Sequence, residues 1–200
     1  MSETLTTPKL DVRVVPREAE RLLSRLTDER QRAIVANFRE HAMLEVSGRW
    51  PEILSPKLTV AHPVYRISEG TETAVYDGYD AVAGFYRTLT ENGMNVFSPL
   101  TEKMAVSDWG LAAESVLGQI VPGKLMHVFG ETPGNTDAYY LMTHRVANVW
   151  PYDENAKLIG ETVYVDRASR HIYELDPADI VTPEQAREIL APMLAAIPTQ

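Results

Sequence analysis

The apolar period of this chain changes at Gly93, and that change limits the folds open to it. Before Gly93 helical spacing dominates, interrupted by one strand in "LTVAHPVYRI"; after it strands follow until a last helix. Four strands are predicted, at about 94–107, 110–121, 138–151 and 157–167. The turn signals between them are "DWG", "VPGK" with "ETPGNTD", and "PYDENAK". Upstream, Pro16 opens a short helix, "PREAERLLSRL". A long helix follows in "DERQRAIVANFREHAMLEVSG", with Thr27 as its N-cap and Gly48 at its C-terminal end. "RWPEIL" makes one more turn. "GTETAVYDGYD" reads as a loop. "GYDAVAGFYRTLTENG" is a further helix, with Val82, Phe85, Tyr86 and Leu89 on one stripe. "VTPEQAREILAPMLAAIP" closes the chain as a helix capped by Thr182, with Pro183 in its first turn. This order implies an α+β domain, with helices on one face of a curved, mostly antiparallel sheet. Residues 1–26 are expected to form an N-terminal extension, extended up to residue 15, and residues 27–200 a single domain.

Charge and residue usage narrow the function. With 28 acidic and 19 basic residues the net charge is −9. The absence of a basic block argues against nucleic acid or an anionic membrane as the main partner. The chain has no cysteine, which removes disulfides, thiolate zinc sites and thiol catalysis and is compatible with the cytoplasm. No apolar run approaches the ~20 residues that span a bilayer, and the N-terminus carries no apolar core of signal-peptide length. No phosphate-cradling glycine motif, nucleophile elbow or H-E-x-x-H is present, so no cofactor is expected. His41, His62 and His144 come from three separate elements without local ligand spacing, so no metal centre is expected either.

The candidate chemistry gathers in three places. On the long helix, Ile34, Phe38, His41 and Glu45 are spaced +4, +3, +4 and form one stripe. If that stripe faces the sheet, His41 and Glu45 point inward; otherwise they are a solvated surface pair. In "LTVAHPVYRI", His62 and Pro63 interrupt a strand that also carries Tyr65. Pro63 removes a ladder donor, so this strand must be an edge or carry a bulge there. In "GETVYVD", Glu161, Val163 and Val165 share one face, and Thr162, Tyr164 and Asp166 the other. A glutamate on a valine face is a candidate buried carboxylate, whose raised pKa suits acid/base work. In "YYLMTHRVANVW", His144 and Arg145 lie on opposite faces, and the alternation leaves open which of them is inside.

"NFREHAMLEVSGRWPEIL", "LTVAHPVYRI", "YDGYDAVAGFYR" and the late "GETVYVD" together resemble the nuclear transport factor 2-like superfamily, its SnoaL-like branch above all. The resemblance spans roughly residues 28–170. It implies a cone in which a curved sheet wraps around helices, a cavity for an apolar small molecule, and a homodimer formed through the sheet. By comparison with ketosteroid isomerase, His62 stands where the general base precedes a Pro-Val pair, and His41 where the oxyanion-binding tyrosine stands. By comparison with the epoxide hydrolase branch, Arg145 matches the arginine, while Ala147 and Val163 replace its two aspartates. Asp166 is the nearest match to the late aspartate of the SnoaL-like cyclases. The mixture of His41, His62, Tyr65 and Tyr86 is similar to the cavity of scytalone dehydratase.

The resulting expectation is a cofactor-free isomerase, cyclase or dehydratase acting on a small apolar carbonyl or hydroxyl compound. His62 would be the base, His41 oriented by Glu45 the oxyanion donor, and Asp166 a further acid/base. Phe38, Tyr65, Tyr86, His144, Arg145 and Glu161 would position the substrate. The alternative is a non-catalytic module of the same fold that binds a ligand or a protein. Catalysis requires the two histidines to converge on one substrate-sized space.

Overall fold

The computed structural model describes residues 7–197. Helix α1 (Arg17–Leu23) precedes the long α2 (Glu29–Val46) and the single turn α3 (Trp50–Ile53). Strands β1 (Thr59–Glu69) and β2 (Glu72–Asp77) form a hairpin, and α4 (Tyr79–Glu91) follows. Then come β3 (Phe97–Ser107), β4 (Gly110–Pro122), β5 (Tyr139–Pro151) and β6 (Leu158–Glu174), and α5 (Pro183–Ala195) ends the described chain. The six strands form one curved, open sheet in the order β2-β1-β6-β5-β4-β3. All pairs are antiparallel except β1 with β6.

Local chemistry explains most boundaries. The N-cap of α2 is Asp28 rather than the expected Thr27: its carboxylate accepts from the Gln31 amide at 2.9 Å. Gly48, just beyond the end of this helix, has a φ of +68°, a conformation that costs glycine little. Thr182 and Gln185 form a capping box at the start of α5, with Pro183 in its first turn.

Two readings need correction. "GTETAVYDGYD" is not a loop: residues 72–77 form β2, an edge strand paired with β1. Its side chains are largely exposed, so no apolar alternation marks it. The last strand runs to Glu174, well past residue 167, through an irregularity opposite Thr143–Arg145. Over its described part, the segment before residue 27 packs on the domain. Val12, Val15 and Ala19 are buried, and Arg32 of α2 donates to the carbonyls of Leu23 and Leu26.

Pro63 lies in a bulge. The β1–β6 register jumps between Thr59 and Val64, where four residues of β1 oppose one of β6. The missing proline donor therefore falls where no ladder bond is made, while the Pro63 carbonyl accepts from the Gly78 amide at 2.9 Å. β1 is an interior strand, and the bulge alone accommodates the proline.

The main core lies between the inner sheet face and α1, α2 and α4. It includes Ile34, Val35, Phe38, Leu44, Tyr65, Val82, Tyr86, Leu111 and Trp150. A second cluster ties α5 and the N-terminal segment to the far end of the sheet through Val12, Val46, Ile120, Leu141 and Leu190.

Candidate active site in the cone

The α2 stripe faces inward. Ile34, Phe38 and His41 are buried, and Phe38 and His41 both pack on Trp150 of β5, with ring centroids 4.7 and 4.8 Å away. His41 is wholly enclosed. Three oxygens converge on its Nε2: the Tyr86 hydroxyl at 2.9 Å, Glu161 Oε1 at 3.3 Å and Glu45 Oε2 at 3.5 Å. Its Nδ1 is buried without a partner. A nitrogen facing three oxygens acts as a donor, so the imidazole proton belongs on Nε2.

The Tyr86 hydroxyl is the hub. It lies 2.9 Å from the Tyr65 hydroxyl and 3.5 Å from Glu161 Oε1. Tyr65 is held by β1 opposite Glu161 of β6, one rung of the parallel pair. Both tyrosines are fully buried, and desolvation holds their hydroxyls protonated well above the usual phenol range. Burial also pushes the Glu161 carboxyl well above the usual carboxylate range. The negative charge of Glu45 adds to the effect, and hydrogen bonds from Tyr65 and Tyr86 oppose it.

Glu45 and Glu161 are also the two members of this cluster that reach open space. They line a cavity of about 640 Å³ between α2, α4 and the inner sheet face. Its walls are mainly apolar, including Phe38, Phe85, Leu117, Val146, Trp150 and Val163. His41, Tyr65 and Tyr86 stand behind the two carboxylates rather than on the wall. A ligand would therefore meet the acids, while the phenols hydrogen-bond Glu161 and the imidazole lies beside both carboxyls.

His144, not Arg145, faces the cavity. His144 is buried and on its wall, and burial lowers its pKa, the nearby Arg170 guanidinium adding to the effect. Arg145 is exposed on the outer face opposite Asp166, so neither residue meets a ligand in the cavity. Asp166 is exposed and accepts instead from the Ala168 amide at 3.1 Å. His62 is the main correction. The bulge turns it to solvent, where its Nε2 lies 2.8 Å from Asp77 Oδ1 and both side chains are about 70% exposed. It does not converge with His41, and a base role for it in the cavity fails on geometry.

Several wall residues have no counterpart among the candidates read from the sequence. Glu102 of β3 has an enclosed Oε2 without a partner, and burial raises its pKa to about 7. Arg170, also on the wall, is nearly enclosed, bound to Glu69 and to Glu131 (3.2 Å), and donates to the Phe129 carbonyl at 2.9 Å. A signal for Glu102 was present, because Glu102, Met104 and Val106 alternate onto one strand face.

No family model matches this chain, and no curated protein matches it. Solved structures do. A putative SnoaL-like polyketide cyclase from Shewanella putrefaciens CN-32 superposes with a TM-score of 0.56 at 13% identity, over 82% of this chain and 94% of that one. A putative SnoaL-like polyketide cyclase from Shewanella denitrificans OS-217 gives 0.52 at 17%, over 70% and 92%. An NTF2-like protein from Anabaena variabilis ATCC 29413 gives 0.52 at 11%, over 72% and 97%. At these identities the likeness is one of fold: the chain has the cone architecture of NTF2-like and SnoaL-like proteins. Among the described residues no helix is long and apolar enough to cross a membrane.

Proposed function

We propose that this protein is a cofactor-free acid/base enzyme acting on a small apolar carbonyl or hydroxyl compound held in the cone. The observation that carries this reading is Glu161, a carboxyl with raised proton affinity that opens onto a largely apolar cavity beside a second carboxyl, Glu45. Two acids in unlike surroundings divide the work of proton transfer. Glu161, buried and held by the tyrosines, keeps its proton and donates it to a substrate oxygen. Glu45, the more accessible of the two, removes a proton from the adjacent carbon. His41 Nε2 lies between them and stabilises whichever carboxylate bears charge. Enolisation leading to isomerisation, cyclisation or dehydration fits this arrangement.

The test is deuterium uptake from D2O at the carbon next to the carbonyl, followed by NMR for a panel of tetralones, decalones and cyclohexenones. Wild-type protein should accelerate uptake for at least one of them. Glu161→Gln and Glu45→Gln should each lower that rate by roughly 10²–10⁴. Uptake that both variants leave unchanged would remove the assignment.

The second reading is a ligand-binding module without turnover. It is favoured by the enclosure of His41, Tyr65 and Tyr86, which largely satisfy one another. Saturable binding of the same ketones with no deuterium uptake would select it. The homodimer belongs with either reading. Exposed Tyr164 opposite Ala147 on the outer sheet face suits a sheet-to-sheet contact, and sedimentation at monomer mass would end that part.

A further inference from the structure

The charges on the cavity wall are unbalanced. Apart from histidine, its acidic and basic residues are Glu45, Glu69, Glu102, Glu161 and Arg170. The lone guanidinium is already committed to Glu69, Glu131 and the Phe129 carbonyl, and its side chain is only 4% exposed. His144, 6% exposed and on the same wall, is no substitute, since burial and Arg170 both disfavour its cationic form. Glu45 and Glu161 share His41. Glu102 has no ion-pair partner among the described residues: its Oε2 is enclosed without a hydrogen bond, and the charge that adds to burial in raising its pKa is another acid, Glu18 of α1. A buried carboxylate without a donor is costly in a folded protein and calls for a partner from outside it.

We propose that the cavity takes an elongated apolar ligand carrying a protonated amine, and that the amine seats against Glu102. The inference rests on the reading of this cavity as the ligand site and adds the substrate class. Glu102 pairs with Ser115, which pairs with Val146. Trp150, next to the Glu161 rung, lies four residues further along β5. At about 3.3 Å per residue that is about 13 Å along the strands. An amine at Glu102 therefore leaves the rest of an extended molecule to reach Glu45 and Glu161. An anionic ligand, such as a free carboxylic acid or a phosphate ester, faces four carboxyl groups and one guanidinium whose two terminal nitrogens are already paired, its enclosed Nε alone lacking a partner.

The experiment is calorimetric titration at pH 7.5 with three probes that share one apolar body: 2-(aminomethyl)naphthalene, 2-acetylnaphthalene and 2-naphthoate. The amine should bind at least tenfold more tightly than the carboxylate. Glu102→Gln should reduce the amine's affinity at least fivefold and leave the ketone's affinity unchanged, the ketone serving as the check that the cavity is intact. Equal affinities for amine and carboxylate, or discrimination that survives in Glu102→Gln, overturn the proposal. If the ketone binds in either of those cases, the cavity remains a ligand site and only the amine preference falls. If none of the three probes binds, the amine proposal falls, and the deuterium-uptake test decides the enzymatic reading separately.

Discussion

Replacing Glu102 by glutamine should stabilise the folded protein, and by more at high pH than at low. Burial raises the Glu102 carboxyl from an ordinary 4.5 to about 7, with Glu18 as the second cause. The sign follows from linkage. Below pH 4.5 the group is protonated in both folded and unfolded chains and costs nothing. Between 4.5 and about 7 the unfolded chain releases its proton first, so this group's contribution to stability is lost progressively. Above about 7 the fold carries the full cost of a buried charge. The gap from 4.5 to about 7 corresponds to about 3 kcal/mol, which is a ceiling because the partnerless glutamine amide recovers only part of it. Urea unfolding of wild type and Glu102→Gln at pH 4.5 and pH 8.0 reads the effect. The two proteins should nearly coincide at pH 4.5 and differ by about 2–3 kcal/mol at pH 8.0, with the variant more stable. The same offset at both pH values would mean that the side chain is solvated or already paired, and the reasoning would be wrong. A ligand ammonium at Glu102 should shrink the difference at pH 8.0, because it supplies the donor the fold lacks.

Three further outcomes follow from the site and the sheet. Tyr86→Phe removes the hydroxyl that contacts both His41 and Tyr65, and thermal or urea unfolding should show a loss of about 1–3 kcal/mol. Because Tyr65→Phe breaks a shared contact, the double variant should cost less than the sum of the two singles. His62→Ala removes only an exposed pair with Asp77, so the urea midpoint, ketone binding and any deuterium uptake should stay at wild-type levels; a hundredfold loss of uptake would restore His62 to the chemistry. In Gly160→Ala a Cβ would stand 2.0 Å from the Val64 carbonyl oxygen, across the parallel β1–β6 pair. That variant should lose at least ~2 kcal/mol or fail to accumulate as folded protein, as a soluble-yield assay and unfolding of the recovered fraction would show.

Periodicity alone carried the fold class and part of the site. The change of period at Gly93, the α2 stripe and the valine face of "GETVYVD" each report local burial. They put His41 on one stripe with Ile34 and Phe38, leaving open whether that stripe was buried, and put Glu161 on the same face as Val163 and Val165, which line the cavity with it. Pro63 announced the β1 irregularity because a missing donor is a property of one residue. β2 left no such trace, since an exposed edge strand has no buried face to impose alternation.

Only the tertiary structure decided what converges. The bulge at Thr59–Val64 sends His62 outward, and its geometry depends on a partner strand about a hundred residues away in sequence. Alternation separated His144 from Arg145 but could not name the inner one, which follows from the face of the sheet that α2 and α4 cover. Arg170 meets Glu69 across a hundred residues of chain, and Glu102 Oε2 is enclosed without a hydrogen bond even though Ser115 stands opposite it in the β3–β4 register. Spacing in a sequence encodes which side of an element is dry. The distances between groups on different elements, and so the chemistry they share, come from strand register and packing that no local pattern records.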